Sequence, residues 1–182
     1  TYTLAETFEE PITLEDGSYA DADGIFTVDY RENSARYGDL DGDGGEDAVV
    51  VLEERAGGSN TNYYLAAQLN QNGEAADAGT VLVDGNIQII DLAIEDGQAV
   101  LAVTTRGPGD ANCCASYRTE RTFALQDGVL ADVGEPTAPV RVSAENLNGT
   151  SWTLAALADG QPALADPPIT ITFEDGSLAG SG

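Results

Sequence analysis

Four aspartates lie at alternate or every fourth position of one short glycine-containing segment, D-L-D-G-D-G-G-E-D, which runs from Asp39 to Asp47. Carboxylates at loop positions 1, 3, 5 and 9, with glycines between them, allow a tight turn to aim several oxygen atoms at one point. Calcium takes about six to eight oxygen ligands at about 2.4 Å, drawn from carboxylates, backbone carbonyls and water. The segment, called the acidic loop below, therefore predicts a Ca2+ site formed by the side chains of Asp39, Asp41, Asp43 and Asp47 and the backbone carbonyl of Gly45.

The acidic loop does not follow the EF-hand pattern, because its position 12 is Val50, inside an apolar run, where an EF-hand has Glu. It resembles the D-x-D-G-D-G-x-x-D loops of FG-GAP and related β-propeller repeats, in which a calcium site precedes a strand. The chain has one copy of the loop, so the resemblance implies the calcium site and not a propeller. The alternative is an acidic turn without metal, but converging carboxylates repel one another when no cation is present. We expect Glu46 to face solvent.

Cys113 and Cys114 are the only cysteines, and they end the segment G-P-G-D-A-N-C-C that begins at Gly107. Three states of this pair are open: a vicinal disulfide that stiffens the loop, two free thiols, or bridges between subunits. Two thiolates alone make a poor metal site. We expect the vicinal disulfide, in a structural role, because disulfides persist in extracytoplasmic compartments.

The composition excludes most catalytic mechanisms. The chain has 32 acidic residues, seven arginines, no Lys and no His, and its formal net charge is −25. Without His there is no Ser-His or Cys-His nucleophile, and without Lys there is no Schiff base. A glycosidase with two carboxylates stays open, but among 32 acids any chosen pair carries no information. We therefore expect no enzyme activity, and we expect the negative field to repel nucleic acid.

Short runs rich in β-branched and aromatic residues, with Asp-Gly pairs between or beside them, predict an all-β fold. The expected architecture is a mainly antiparallel sheet or sandwich with Asp-Gly hairpins and little helix, because Asp-Gly supplies the positive φ angles of tight turns. Residues 74–78 could form at most one helical turn. The predicted strands are Ile25–Tyr30, Ala48–Leu52, Tyr63–Leu69, Ile87–Ile94, Ala99–Thr105 and Arg118–Leu125.

Two prolines within four residues, Pro136 and Pro139, indicate a semi-rigid linker. We therefore predict an acidic β domain over residues 1–134, a linker over 135–145 and a different segment over 146–182. The last segment holds the only Trp, Trp152, which we expect to anchor a core.

The segment from Leu147 resembles the opening of a META domain. It reads L-N-G-T-S-W-T-L, then the apolar run 169–173 and A-G-S-G, where the family has L-x-G-T-x-W-x-L, a strand, a turn and a G-x-x-G-S-G-like run. A partial domain of this family implies β structure with unpaired strand edges, in bacterial envelope or secreted proteins without established catalysis. The region Tyr37–Leu125 also resembles a domain of bacterial secreted lipoproteins, through residues 38–48 and 107–114.

These features predict an extracellular or cell-surface location, with a leader removed or with the chain beginning inside a longer product. No apolar run approaches the roughly 20 residues of a membrane span. Two roles stay open: a subunit that polymerises with itself by strand addition at its ends, or a monomeric module that binds a glycan or other surface ligand. The residues predicted for a ligand surface are Tyr63, Tyr64, Tyr117, Arg106, Arg118 and Arg121.

Overall fold

The computed structural model describes residues 1–4, 7–157, 161–163 and 166–181, and it confirms the all-β, antiparallel prediction. Within those ranges the helical structure is one short 3-10 helix, Ala144–Leu147. The chain divides into two compact units, Thr1–Arg141 and Val142–Gly182, so the division falls inside the segment predicted as a linker. The strands are β1 Ser18–Ala20, β2 Phe26–Tyr30, β3 Arg36–Gly38, β4 Asp47–Ala56, β5 Thr61–Gln71, β6 Glu74–Gly85, β7 Ile89–Glu95, β8 Gln98–Thr105, β9 Tyr117–Gln126, β10 Val129–Val133, β11 Val140–Arg141, β12 Thr150–Thr153, β13 Thr170–Glu174 and β14 Ser177–Ser181.

Unit one is built from two antiparallel sheets. The first sheet has the order β1-β2-β4-β5-β6, and the second has the order β10-β9-β8-β7, with β11 also paired to β9. The short strand β3 shares one edge of β4 with β2: β2 pairs with residues 52–56 of β4 and β3 with residues 47–49. This pairing fixes both ends of the acidic loop, because Gly38 of β3 lies opposite Asp47 of β4.

The larger core lies between the two sheets. Val49, Val51 and Leu65 of the first sheet pack there with Leu101 and Phe123 of the second, and all five side chains are fully buried. Glycine at position 38 permits the sheets to approach closely, because a Cβ there would lie 2.9 Å from the Cγ2 atom of Ile94 on β7. The sandwich therefore depends on large apolar residues in its core and on Gly38, which has no side chain to collide with Ile94.

A second core lies on the opposite face of the first sheet. Val50, Leu52 and Tyr64 point to this face, and the N-terminal segment covers them with Leu4 and Ile12. Successive residues of a strand point to opposite faces, so the unbroken apolar run of β4 requires cover on both sides. The N-terminal segment supplies the cover that the second sheet gives on the other side.

Tight turns with two residues at positive φ join several strands, as the Asp-Gly pattern predicts. Asp96 and Gly97, at φ 49° and 75°, reverse the chain between β7 and β8, which is the backbone of a type I′ turn. The same positive-φ pair occurs at residues 16–17, 127–128 and 175–176. The pair at 84–85 differs, because both residues lie within β6 and neither has positive φ.

Strand β6 corrects the sequence interpretation of residues 74–78 as one helical turn at most. Its first half, E-A-A-D-A, contains residues with low strand propensity, yet it pairs with β5 from Gln71–Glu74 onward. Asn72 and Gly73, at φ 58° and 93°, form the tight turn that brings it back alongside β5. Pairing with a long neighbouring strand has overridden local propensity here.

Part of the segment predicted as a linker pairs with unit one. Val140 and Arg141 of β11 lie opposite Arg118 and Tyr117 of β9, and the Thr137 N–H donates to the Glu120 carbonyl at 3.0 Å. Backbone hydrogen bonds of this kind hold these residues against the sheet, although the two prolines predicted a linker. The segment is therefore an extra edge of the second sheet along part of its length.

Unit two contains a three-stranded antiparallel sheet in the order β12-β13-β14. Trp152, expected to anchor a core, is instead 57% exposed, and its indole N–H donates to the Thr150 hydroxyl at 2.9 Å. None of the described residues of unit two is buried, so this small sheet offers no interior for an indole ring. In the described part of the chain, no helix has the length and apolar character needed to cross a membrane.

Leu65→Ala should lower the free energy of unfolding of unit one by roughly 2–5 kcal/mol, because Leu65 is fully buried between the sheets. All seven tyrosines belong to unit one and the only Trp to unit two. Tyrosine near-ultraviolet dichroism during denaturation therefore follows unit one. The control Val129→Ala, at a side chain 55% exposed, should stay within about 0.5 kcal/mol of the parent. Equal effects of the two substitutions would contradict the described core.

Candidate metal site

The acidic loop begins after β3 and ends at the first residue of β4. Two glycines in it take positive φ angles, 81° at Gly42 and 83° at Gly44, which residues with a Cβ adopt only at a cost. The backbone bends at every residue from Leu40 to Gly45. The short loop is therefore folded tightly enough for alternate side chains to meet.

Backbone N–H groups hold three of the carboxylates in place. Asp39 accepts from the N–H groups of Gly42 at 2.7 Å and Gly44 at 3.0 Å, one on each carboxylate oxygen. Asp41 accepts from the Asp43 N–H at 3.0 Å, and Asp43 accepts from the Gly45 N–H at 2.6 Å. An ionised carboxylate has about four lone-pair positions, so each of the three keeps capacity for a further partner.

The carboxylates of Asp39, Asp41 and Asp43 converge. One oxygen from each lies within 4.8 Å of the other two. Two ligands of one calcium ion, each at about 2.4 Å, are at most about 4.8 Å apart, so this spread matches a single coordination sphere. Asp39 is half-buried, whereas Asp41 and Asp43 are exposed. The cluster is therefore open to solvent on one side.

Asp47 has a different position from the other three predicted ligands. Its side chain is 2% exposed, and its two oxygens accept from the backbone N–H groups of Leu40 at 2.8 Å and Asn70 at 2.9 Å. It lies outside the converging group and fastens the start of the loop to β4 and to the end of β5. Sequence reasoning gave no indication of Asn70, because a backbone N–H donor is independent of residue type.

Gly45 and Glu46 are the remaining residues of the loop for which the sequence made a prediction. Gly45 donates its N–H to Asp43, and its carbonyl as a ligand stays a prediction. Glu46 is exposed, as expected. The fit to calcium therefore depends on three converging carboxylates and a fourth, buried carboxylate that closes the loop.

Cys113 and Cys114 form the expected vicinal disulfide. The loop that carries them is fastened by Asp110, which accepts hydrogen bonds from the Ser116 hydroxyl at 2.7 Å and from the N–H groups of Gly107 at 3.0 Å and Ser116 at 2.9 Å. The Ser116 hydroxyl contributes most to holding the pKa of Asp110 below its usual value, and the Gly107 N–H acts in the same direction. Asp110 was not singled out from the sequence, because G-P-G-D is an ordinary turn composition.

Five of the six residues predicted for a ligand surface are engaged within the protein. Tyr64 is buried, and its hydroxyl donates to the buried Glu54 at 2.8 Å. The Tyr117 ring lies against Gly107, where a Cβ would come within 2.2 Å of it. The three arginines form ion pairs: Arg106 with Asp84 at 3.4 Å, Arg118 with Glu120 at 2.9 Å, and Arg121 with Asp132.

No protein-family model, curated protein or solved structure matches this chain. The resemblances of the acidic loop to FG-GAP repeats, of residues 38–48 and 107–114 to a secreted lipoprotein domain and of the last segment to a META domain therefore stay predictions.

Asp47→Asn should lower the stability of unit one by about 1–3 kcal/mol or more, even with calcium chelated. An amide has one acceptor oxygen, so one of the two backbone N–H groups that Asp47 satisfies would face an NH2 group instead. Tyrosine dichroism during denaturation in EDTA measures this change. Asp41→Asn is the control, since Asp41 is exposed and Asn keeps the acceptor for Asp43. A loss at Asp47 that appears only in calcium would show that the residue acts as a ligand alone.

Proposed function

We propose that this chain is a non-enzymatic β protein, outside the cell or at its surface, that calcium stabilises at the acidic loop. The observation that carries the proposal is the convergence of Asp39, Asp41 and Asp43 within the diameter of one calcium coordination sphere. A vicinal disulfide supports the location, because disulfides persist in oxidising compartments.

The charge of the protein gives the ion a physical role. With a net charge of −25, the chain has a general need for counter-charge, and the acidic loop concentrates carboxylates in a short stretch of unit one. Three backbone-bonded aspartates repel one another, and a bound divalent cation replaces that repulsion with attraction. The ion would also join the β3 and β4 ends of the loop, so its binding would stabilise the first sheet.

Calcium suits this loop better than magnesium. Magnesium requires nearly ideal octahedral geometry at about 2.1 Å and keeps most of its water, whereas calcium accepts irregular sets of oxygens. The acidic loop offers several carboxylates and backbone carbonyls in an irregular turn. A structural role is favoured over a catalytic one, because the chain has no His or Lys that could serve there as a base or nucleophile.

Calcium at about 100 times its dissociation constant should raise the free energy of unfolding of unit one by about 2.7 kcal/mol. Asp41→Asn should remove most of this gain, because it takes one negative charge and one carboxylate from the cluster while keeping the hydrogen bond to Asp43. Isothermal titration calorimetry with Ca2+ and Mg2+, together with denaturation followed by tyrosine dichroism, gives the two measurements.

The matched control is Asp23→Asn, which changes net charge equally at another exposed Asp-Gly pair outside the cluster. It should leave calcium affinity within about twofold of the parent, as expected for one distant screened charge. Absence of calcium binding to the parent, or an equal loss in both variants, would contradict the proposal.

Self-association is a second candidate function, favoured by the surface of unit two. Strands β12 and β14 are the edges of its sheet, and every residue of β14 is exposed. Unpaired edges are templates for strand addition by another chain. Large apolar side chains are also exposed in this unit: Val142, Trp152, Leu154, Leu157, Ile169, Ile171 and Leu178. A second copy of the chain, added at an edge strand, would cover both the hydrogen-bonding groups and the apolar surface.

Sedimentation of the intact chain should then reveal species larger than a monomer, and Leu178→Lys on β14 should disperse them. The reason is that a charged side chain on an edge strand opposes pairing with another chain. Val129→Lys is the control with the same change of charge, because Val129 is also exposed and lies on the edge strand β10 of unit one. A chain that sediments as a monomer in calcium and in EDTA would contradict self-association and leave calcium stabilisation intact.

A further inference from the structure

Three loops at one end of unit one line an open cleft of about 490 Å3, called the disulfide cavity here. The loops are residues 57–60 between β4 and β5, residues 86–88 between β6 and β7, and residues 106–116 between β8 and β9. The acidic loop lies at the other end of the same strands, beside the β7–β8 turn, where a Cβ on Gly97 would be 3.7 Å from the Asp39 carbonyl oxygen. The cavity is therefore separate from the candidate metal site.

The lining of the disulfide cavity is uncharged. None of the described residues that line it is acidic or basic, although 21% of the chain is charged. Its polar groups are mostly the side-chain amides of Asn60, Asn86, Gln88 and Asn112. Its volume falls in the range of about 300–1,000 Å3 that is typical of small-molecule sites. A neutral ligand with many hydroxyl or amide groups matches this surface better than an ion does.

Two of the amides are fixed in position. The Asn86 side chain accepts the Thr61 N–H at 3.0 Å and donates to the Asn60 side-chain oxygen at 2.9 Å, while its own N–H donates to the Thr61 carbonyl at 2.8 Å. These bonds tie the β4–β5 loop to the β6–β7 loop. They also use the oxygen of Asn60, which directs its NH2 group as a donor for another partner.

The other two amides keep their hydrogen-bonding capacity. Gln88 is anchored through its backbone, which exchanges hydrogen bonds with Thr104: the Gln88 N–H donates to the Thr104 hydroxyl, and the Thr104 N–H donates to the Gln88 carbonyl, both at 2.9 Å. Within the described part of the chain, the side-chain amides of Gln88 and Asn112 have no hydrogen-bond partner. Each offers a donor and an acceptor side by side, which is the arrangement that adjacent hydroxyls can satisfy.

Apolar surface complements these amides. Buried Ile87 and the half-buried ring of Tyr63, which packs on the larger core, line the cavity with the exposed Cys113–Cys114 disulfide. Burial, and then the negative charge of Glu53, raise the pKa of Tyr63, so its hydroxyl stays protonated at neutral pH. An aromatic ring and a compact disulfide provide contacts for C–H groups, while the tyrosine hydroxyl adds a donor.

The geometry points to a binding site for a neutral saccharide in the disulfide cavity. The hydroxyls at the edge of a sugar ring would bond to the free amides of Gln88 and Asn112 and to the Asn60 NH2 group. The C–H face of the same ring would contact Tyr63 and the disulfide. Asp110 holds the cysteine loop through Gly107 and Ser116, so part of the site is arranged before the ligand arrives.

The test uses the intact chain on an array of defined neutral and anionic glycans. Saturation-transfer NMR and calorimetry with lactose, cellobiose, mannobiose and chitobiose follow. Binding of at least one neutral saccharide is expected, and the Gln88→Ala/Asn112→Ala double variant should weaken it about tenfold or more, as lost hydrogen bonds to a ligand do. Gln98→Ala, an exposed glutamine at the far end of β8, should leave affinity unchanged.

A second variant separates the contribution of the sulfur surface from that of the amides. Cys113→Ser/Cys114→Ser removes the disulfide while Asp110 still fastens the loop, and it should weaken saccharide binding without changing the denaturation midpoint of unit one. Binding should persist in EDTA, so failure of the calcium proposal is distinguishable from failure of this one. No neutral saccharide bound, binding of anionic glycans only, or full affinity in the amide double variant would overturn the inference.

Discussion

The architecture of unit one depends on burial of β4 and β5 on both faces. Because side chains alternate along a strand, Val49 and Val51 face one core while Val50 and Leu52 face the other. The second sheet covers one face and the N-terminal segment covers the opposite one. A charged side chain buried on these strands must then have hydrogen-bond partners inside the protein, as Glu54 has in Tyr64 and Asn62.

The same central strands separate two regions of opposite chemical character. At the start of β4 lie the carboxylates of the acidic loop, and at its end lies the uncharged lining of the disulfide cavity. A strand of ten residues spans roughly 30 Å, well beyond the screening length of about 8–10 Å in physiological salt. Charge at one end therefore has little direct effect on a neutral ligand at the other. A change at one end affects the other chiefly by changing the stability of the sheets that both ends share.

Sequence patterns predicted the central strands because their signals are local. The apolar and aromatic runs that became β2, β4, β5, β7, β8 and β9 are continuous in the chain and short enough to be strands. Strand β6 escaped prediction because its Ala, Asp and Gly residues acquire strand structure only by pairing with β5. Trp152 was expected inside a core, but burial depends on a second layer that residues near Trp152 cannot reveal.

By itself the sequence determined the all-β class, the tight Asp-Gly turns and the clustering of three aspartates, since each follows from residues within a few positions of one another. The tertiary structure decided the rest. It gave Asp47 a buried fastening role through Leu40 and Asn70, and it removed Tyr64 from the surface. It also assembled the disulfide cavity from three loops far apart in the chain. Side chains meet there because strand pairing brings the loops together, and pairing partners are set by packing of the whole sheet and not by local spacing.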